Sequence, residues 1–233
     1  RSGRPFANLN HSGCLSSKLI RGFLGDSKKT AFALKSVSDP EAMNILIQLY
    51  QKGEVPEEYN ADVLNAMAAS GTTEDLNILL DLAVNGTSIQ GNSQAAHLGA
   101  LEEAARQREA KPDREPERIA HFTESEDEAV ALSAVRLIGY WKLAEFQQQL
   151  VTLAQTGKKD MVKAALGALA SMDDSTSRHL LTDLTGANSS PALRLMATAE
   201  LVSLDASQAA NLALAVLKNL HQIKDLKIYL KKN

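Results

Sequence analysis

The sequence has little of what builds disulfide frameworks, metal centres or membrane spans. It contains one cysteine, Cys14, among 233 residues. A single thiol excludes an internal disulfide framework, a cysteine-rich zinc site and a CxxCH haem attachment within the chain. No stretch approaches the roughly 18 consecutive apolar residues that a transmembrane helix needs. Aromatic residues make up only 4% of the chain, which suits helices that pack closely through small side chains.

The sequence also lacks an excess of charge of one sign. Its net charge is −3 and its pI is about 6.0, so no global electrostatic argument favours nucleic acid or an anionic membrane. A Gly-rich phosphate loop, HExxH and GxSxG are all absent from the sequence. Clustered carboxylates lie at predicted helix starts and on polar faces, where solvent surrounds them. We therefore predict no catalytic residue, no cofactor and no metal.

Abundant Ala and Leu, the strongest helix formers, predict an all-α chain. Start signals are clear, as in Ser38-Asp39-Pro40-Glu41, where a capping residue precedes a proline at the first helical position. The apolar periodicity and these signals predict helices at Glu41–Lys52, Glu57–Ser70, Glu117–Phe122, Glu128–Tyr140, Leu143–Gln155, Asp160–Ser171, Ser175–Leu184, Pro191–Ser203, Ala206–Lys218 and His221–Asn233.

The helices form a repeat. One apolar position just before the turn that follows the second helix of each pair recurs at spacings of 33, 34, 37, 31 and 32 residues. A period in the thirties is typical of a solenoid of helix pairs, because each pair exposes an apolar face that only its neighbours can cover. The repeated residues are Leu34, Met67, Leu101, Ile138, Leu169 and Leu201.

Three segments carry a family resemblance: Leu34–Ala42, Ala164–Asp173 and Pro191–Leu201. They resemble HEAT repeats, in particular the HEAT-like repeats of phycobilisome lyases. The resemblance implies a right-handed α-α superhelix of the HEAT/ARM type, with about six helix pairs and the second helices on the concave side. We expect a poorly patterned segment at 1–29, the repeat domain at 30–220 and a capping helix at 221–233.

A narrower resemblance lies in the helix Glu102–Arg108, the proline-containing loop after it, and Leu137–Leu143. This order is similar to the HEAT segment of large bacterial exported proteins that join a dehydrogenase-like propeller to a c-type cytochrome domain. The resemblance implies the scaffold segment of a redox protein, without the quinone-type cofactor site or the haem. It also implies a periplasmic or exported location.

These observations predict a non-catalytic scaffold whose partners are proteins or neighbouring domains of the same polypeptide. The expected binding residues are Asn60, Lys163 and Arg194, which are polar residues of second helices. Trp141, the only tryptophan, is either an interface anchor or the side chain that closes the apolar gap at its turn. The sequence favours the second role for Trp141.

Two other functions stay open. A phycobilin-lyase-like protein would need a pocket with converging Cys, His or acid groups, and Cys14 lies outside the regular repeats. A HEAT-type nucleic-acid-binding protein would need a basic inner stripe with aromatics, which the charge and the single Trp do not supply. His179 and Asp183 share a helical face and offer two metal ligands, but no third ligand is evident in the sequence.

Overall fold

The computed structural model describes residues 40–86 and 94–204, and every regular element in these ranges is helical. The predicted segments 1–29 and 221–233, the helix Ala206–Lys218 and the repeat position Leu34 lie outside the described residues. The chain divides into two compact units, Arg1–Val63 and Leu64–Asn233. Within the described ranges, no helix has the length and apolar character needed to cross a membrane.

In the first unit, helix α1 spans Pro40–Gln51, within one residue of the predicted bounds. It buries Leu46 and Tyr50 completely. Gly53 ends this segment with a positive φ of 69°, and its N–H donates to the Tyr50 carbonyl at 2.9 Å. A residue with a side chain would be strained in that conformation.

The predicted helix Glu57–Ser70 is wrong at its start. A 3₁₀ helix occupies Glu57–Tyr59, and α2 spans Asn60–Ser70. The Tyr59 N–H donates to the Pro56 carbonyl at 2.9 Å, which closes an i→i+3 turn before the α-helical pattern begins.

The described part of the second unit continues with seven α-helices. They are α3 Thr73–Val84, α4 Gln94–Arg108, α5 Glu128–Tyr140, α6 Gln147–Thr156, α7 Lys159–Met172, α8 Ser175–Leu184 and α9 Pro191–Leu204. Side-chain caps set three of the starts: Thr72 and Asp174 each complete a capping box, and the Asp127 carboxylate accepts from the first turn of α5. These caps satisfy backbone N–H groups that have no partner inside the helix.

The helices of this unit form two layers. The second helices α4, α5, α7 and α9 pack side by side in chain order, and α3, α6 and α8 pack against the second helix of their own pair. A 3₁₀ helix at Pro116–Glu124 takes the place of the first helix in the pair that α5 completes. This alternation is the architecture of an α-solenoid.

The repeat positions form the centre of the packing. Those in the described part of the chain are at most 2% exposed, as the spacing predicts: Met67, Leu101, Ile138, Leu169 and Leu201. Small residues beside them are buried too, including Ala134, Ala165 and Ala197. Small side chains at these positions let neighbouring second helices approach closely.

Two further predicted elements differ from the structure. The predicted helix Glu117–Phe122 is the 3₁₀ helix just described, which starts at Pro116. The predicted helix Leu143–Gln155 begins with a 3₁₀ turn at Ala144–Phe146, and α6 starts only at Gln147. In the latter, the Phe146 N–H donates to the Leu143 carbonyl at 3.1 Å, so the first turn closes with i→i+3 geometry.

Candidate functional site

An open cleft of about 480 Å³ lies on the surface formed by the second helices α5, α7 and α9. Side chains from three successive repeats therefore meet in one place. We call it the second-helix cleft. It is lined by Leu132, Arg136, Tyr140, Asp160, Lys163, Ala164, Gly167, Ala168, Ala170, Ser171, Glu200 and Ser203.

Helix α5 supplies one wall through Leu132, Arg136 and Tyr140, which are four residues apart and so share one helical face. The Arg136 guanidinium lies 3.3 Å from the carboxylate of Glu102 on α4. The Ser133 hydroxyl donates to the same carboxylate at 2.9 Å. Glu102 therefore ties α4 to α5 and balances the charge of Arg136.

Helix α7 supplies the floor with Ala164, Gly167, Ala168 and Ser171. These residues are small, so space remains above the helix. The Ser171 hydroxyl donates to the Gly167 carbonyl at 2.8 Å and is engaged within its own helix. Among these four side chains, only that of Ser171 carries a polar group.

Glu200 of α9 forms part of the opposite wall and is half-buried. Burial raises the pKa of its carboxyl above the ordinary value, and the charge of Lys163 opposes part of that rise. Glu200 directly precedes the repeat position Leu201. The residues that directly precede Leu101, Ile138 and Leu169 are Ala100, Leu137 and Ala168, which are apolar and buried. An acid thus stands where these other repeats carry a hydrocarbon side chain.

The structure places the three predicted binding residues differently from one another. Lys163 is exposed and lines the cleft. Arg194 is buried, and its Nε donates to the Thr185 carbonyl at 2.9 Å, within the repeat formed by α8 and α9. Asn60 is also buried and belongs to the first unit. Burial leaves Arg194 and Asn60 little surface to offer a partner.

Trp141 lies inside the fold, with 4% of its surface exposed. Its indole Nε1 donates to the Ala110 carbonyl at 3.1 Å, and the Lys111 ammonium donates to the Trp141 carbonyl at 3.2 Å. The residue thus fills the turn after α5 and ties it to the loop after α4. The Trp141 side chain therefore offers a partner little surface.

His179 and Asp183, the two possible metal ligands considered from the sequence, are close in space. His179 Nδ1 lies 3.3 Å from the Asp183 carboxylate, and both side chains are exposed. Within residues 40–86 and 94–204, no group of three or more His, Cys, Asp or Glu side chains is placed to hold a metal ion. Cys14 lies outside these ranges.

Sequence reasoning missed Glu200, although a signal for it was available. Aligning the second helices on their buried repeat position would have shown one acid at a position that is otherwise apolar. Gly167 and Ala164, which leave the floor open, carried no signal distinct from ordinary close packing.

Comparison with known proteins supports the helical-repeat architecture. Residues 115–202 match the family model described as HEAT repeats. The matched segment runs from the 3₁₀ helix Pro116–Glu124 into α9 and contains all of the cleft except Ser203. Comparisons with curated proteins and with solved structures find no match. The match and the two-layered packing together support an α-solenoid fold, with HEAT-type repeats at residues 115–202.

Proposed function

We propose that this chain is a non-catalytic interaction scaffold that binds a protein segment in the second-helix cleft. The observation that carries the proposal is the cleft itself, where side chains of three successive second helices converge on one open surface. Solenoids of stacked repeats bind partners across extended surfaces of this kind. Lys163 and Glu200 would supply charged contacts, and the floor of α7 would supply apolar area.

Contacts between repeats hold the elements around the cleft in place, which favours binding. Glu102 of α4 accepts from the Ser133 hydroxyl of α5, and the Gln147 amide at the start of α6 donates at 2.7 Å to Asp174, the cap of α8. Since these contacts exist before any partner arrives, little further ordering is needed on binding.

The residue content of the cleft favours a scaffold over cofactor handling. Its lining contains neither Cys nor His, so of the groups that the phycobilin-lyase-like alternative calls for, the cleft offers only the acids Asp160 and Glu200. The cleft does not form a basic stripe either, because Arg136 and Lys163 share it with Asp160 and Glu200. This mixture of charge suits a protein segment better than a phosphate backbone.

For the larger setting, we propose that the chain is the HEAT segment of an exported redox protein and docks its neighbouring domains. The support is the resemblance around Glu102–Arg108 and Leu137–Leu143. Sequencing the gene outward from this segment tests it. An upstream propeller and a downstream CxxCH motif would support the proposal, and a reading frame without them would overturn it.

A phage library of random 12-residue peptides tests the scaffold proposal. Peptides are selected for binding to the 233-residue chain. Their affinity is then measured for a cleft variant, Lys163→Glu with Ser203→Arg, in which both changes are at exposed positions. The matched control changes the exposed α6 residues, Gln155→Glu with Thr152→Arg. We expect the cleft variant to weaken binding about tenfold or more and the control to leave it unchanged. Failure to select peptides, or equal binding to both variants, contradicts the proposal.

A further inference from the structure

Building on the proposed function, we propose that the second-helix cleft accepts a lysine or arginine side chain of the partner segment, whose cation pairs with the Glu200 carboxylate. The proposal assigns the chemistry of the bound residue and the group that recognises it. It rests on the placement of Glu200, on the engagement of the cations nearby, and on the shape of the floor.

The Glu200 carboxylate lacks hydrogen-bond donors in the part of the chain that the structure describes. The nearby Ser203 hydroxyl donates to the backbone carbonyl of Glu200, at 2.6 Å, and not to its side chain. A half-buried carboxylate has lost part of its hydration, and this loss is costly unless donors replace the water. A partner's ammonium or guanidinium group would supply several donors and a compensating charge.

The protein's own cations at the cleft do not fill this role. Arg136 is held by Glu102 across the α4–α5 contact. Lys163 influences Glu200 through its charge, yet no ion pair within 4.0 Å joins the two among the described residues. Lys163 is also exposed, so its ammonium remains hydrated.

The charge of the cleft points to a cation as well. Asp160 lies in the first turn of α7 and lines the cleft together with Glu200. With Glu102 included, the acids outnumber the bases Arg136 and Lys163 by one. A basic side chain therefore improves the charge balance, whereas an acidic one worsens it.

The floor fits the rest of such a side chain. A Cβ placed on Gly167 would meet no atom within 4 Å, so the surface of α7 is open at this residue, and Ala164 and Leu132 line the cleft beside it. Lysine and arginine place their methylene stems along apolar surface while the charged head reaches a polar group. The stem would cover the small residues of α7 while the head lies at Glu200.

A charge-swap measurement tests the inference. Peptides from the phage selection are synthesised with each Lys or Arg replaced in turn by norleucine or by Glu. They are titrated against wild type, Glu200→Gln, Glu200→Lys and the control Glu145→Gln, which changes an exposed acid on the 3₁₀ turn Ala144–Phe146. Circular dichroism checks that every variant is folded.

We expect one basic position where norleucine lowers affinity for wild type and for Glu145→Gln about tenfold. The same replacement should have little effect on Glu200→Gln. The peptide with Glu at that position should bind Glu200→Lys better than the parent peptide does, a rescue that a purely structural role of Glu200 would not produce.

Three outcomes would overturn the inference: selected peptides without a shared basic residue, an equal norleucine effect on Glu200→Gln, or selection of acidic residues that depend on Lys163. In each case binding would still respond to the Lys163→Glu, Ser203→Arg variant, and the scaffold proposal would stand. Peptides that bind that variant as tightly as they bind wild type would overturn the scaffold proposal itself.

Discussion

A side-chain carbon placed on Gly139 would lie 2.7 Å from the carbonyl oxygen of Ala168 and 2.8 Å from its Cβ. Helices α5 and α7 therefore meet almost backbone to backbone, directly beside the buried repeat positions Ile138 and Leu169. This contact sets the separation of the two helices that form one wall and the floor of the second-helix cleft.

Gly139→Ala should destabilise the chain. Alanine gains about 1 kcal/mol of helix propensity over glycine, but the clash with the Ala168 backbone costs about 1–3 kcal/mol because neither helix can yield cheaply. Gly99→Ala is the matched control, since a Cβ at this position on α4 meets no atom within 4 Å and only the propensity gain applies. Urea unfolding should give a lower free energy of unfolding for Gly139→Ala and a higher one for Gly99→Ala than for wild type. A change in the same direction for both variants would show that the close contact does not limit packing.

Trp141→Phe should destabilise the chain by about 1 kcal/mol, because the Ala110 carbonyl loses its indole donor. Trp141→Ala should cost about 3–5 kcal/mol through the cavity it leaves. The neighbouring change Tyr140→Phe, at a half-exposed position, should lie within about 0.5 kcal/mol of wild type. Thermal unfolding followed by circular dichroism measures all three. Equal stability of the Trp141→Phe variant and the wild-type chain would contradict the role given to the indole N–H.

Arg108 links two successive second helices, since its guanidinium donates to the carbonyls of Ala68 at 2.9 Å and Gly71 at 3.0 Å. Arg108→Lys should loosen the turn after α2, because an ammonium cannot reproduce the planar fork of donors. Hydrogen exchange of the amides at 69–72 should accelerate in this variant. Arg106→Lys is the control, since Arg106 pairs with Glu103 on its own helix, and exchange at 69–72 should stay at the wild-type rate.

Glu200→Gln should stabilise the chain at about pH 7, and the difference should shrink as the pH falls to about 4. Burial raises the pKa of Glu200, so the folded chain binds this proton more tightly than the unfolded chain. The stability linked to that proton is fully present below the unfolded pKa and is lost as the pH rises through the folded pKa. Glutamine mimics the protonated form throughout.

Glu103→Gln is a control that should change the stability at neutral pH in the opposite direction. The hydrogen bond from Arg106 lowers the pKa of Glu103, so its contribution is present above the unfolded pKa and lost as the pH falls through the folded pKa. Glu103→Gln should therefore be less stable than wild type at about pH 7 and approach it in acid. Melting curves of both variants between about pH 4 and about pH 7 show whether each variant is more or less stable than wild type. The account of Glu200 fails if its variant is the less stable one at neutral pH.

The repeat positions were predictable from sequence because burial at a fixed period leaves a fixed residue class. Leu101 and Leu169 are apolar for the same geometric reason, and both are buried. The 3₁₀ helix at Pro116–Glu124 was not predictable as such, since an i→i+3 turn and a short α-helix place the same residues, Ile119 and Phe122, toward the core.

The cleft was only partly predictable. The surface position of Lys163 follows from its place in the repeat, but the burial of Arg194 depends on a contact with Thr185, in the loop after the preceding helix. A polar residue in a first helical turn can reach toward solvent or back to the loop, and no periodicity distinguishes the two. The volume of the cleft depends on how far α9 stands from α5, which is a tertiary quantity.

Carbene footprinting of the full chain, with and without a saturating selected peptide, tests the central claim most directly because it reports which side chains a partner covers. We predict reduced labelling at the cleft residues of α5, α7 and α9, with Lys163 and Ser203 among them, and unchanged labelling of the exposed first-helix residues Thr152 and Gln155 of α6. Protection confined to the first helices, with labelling of the cleft unchanged, would contradict the account.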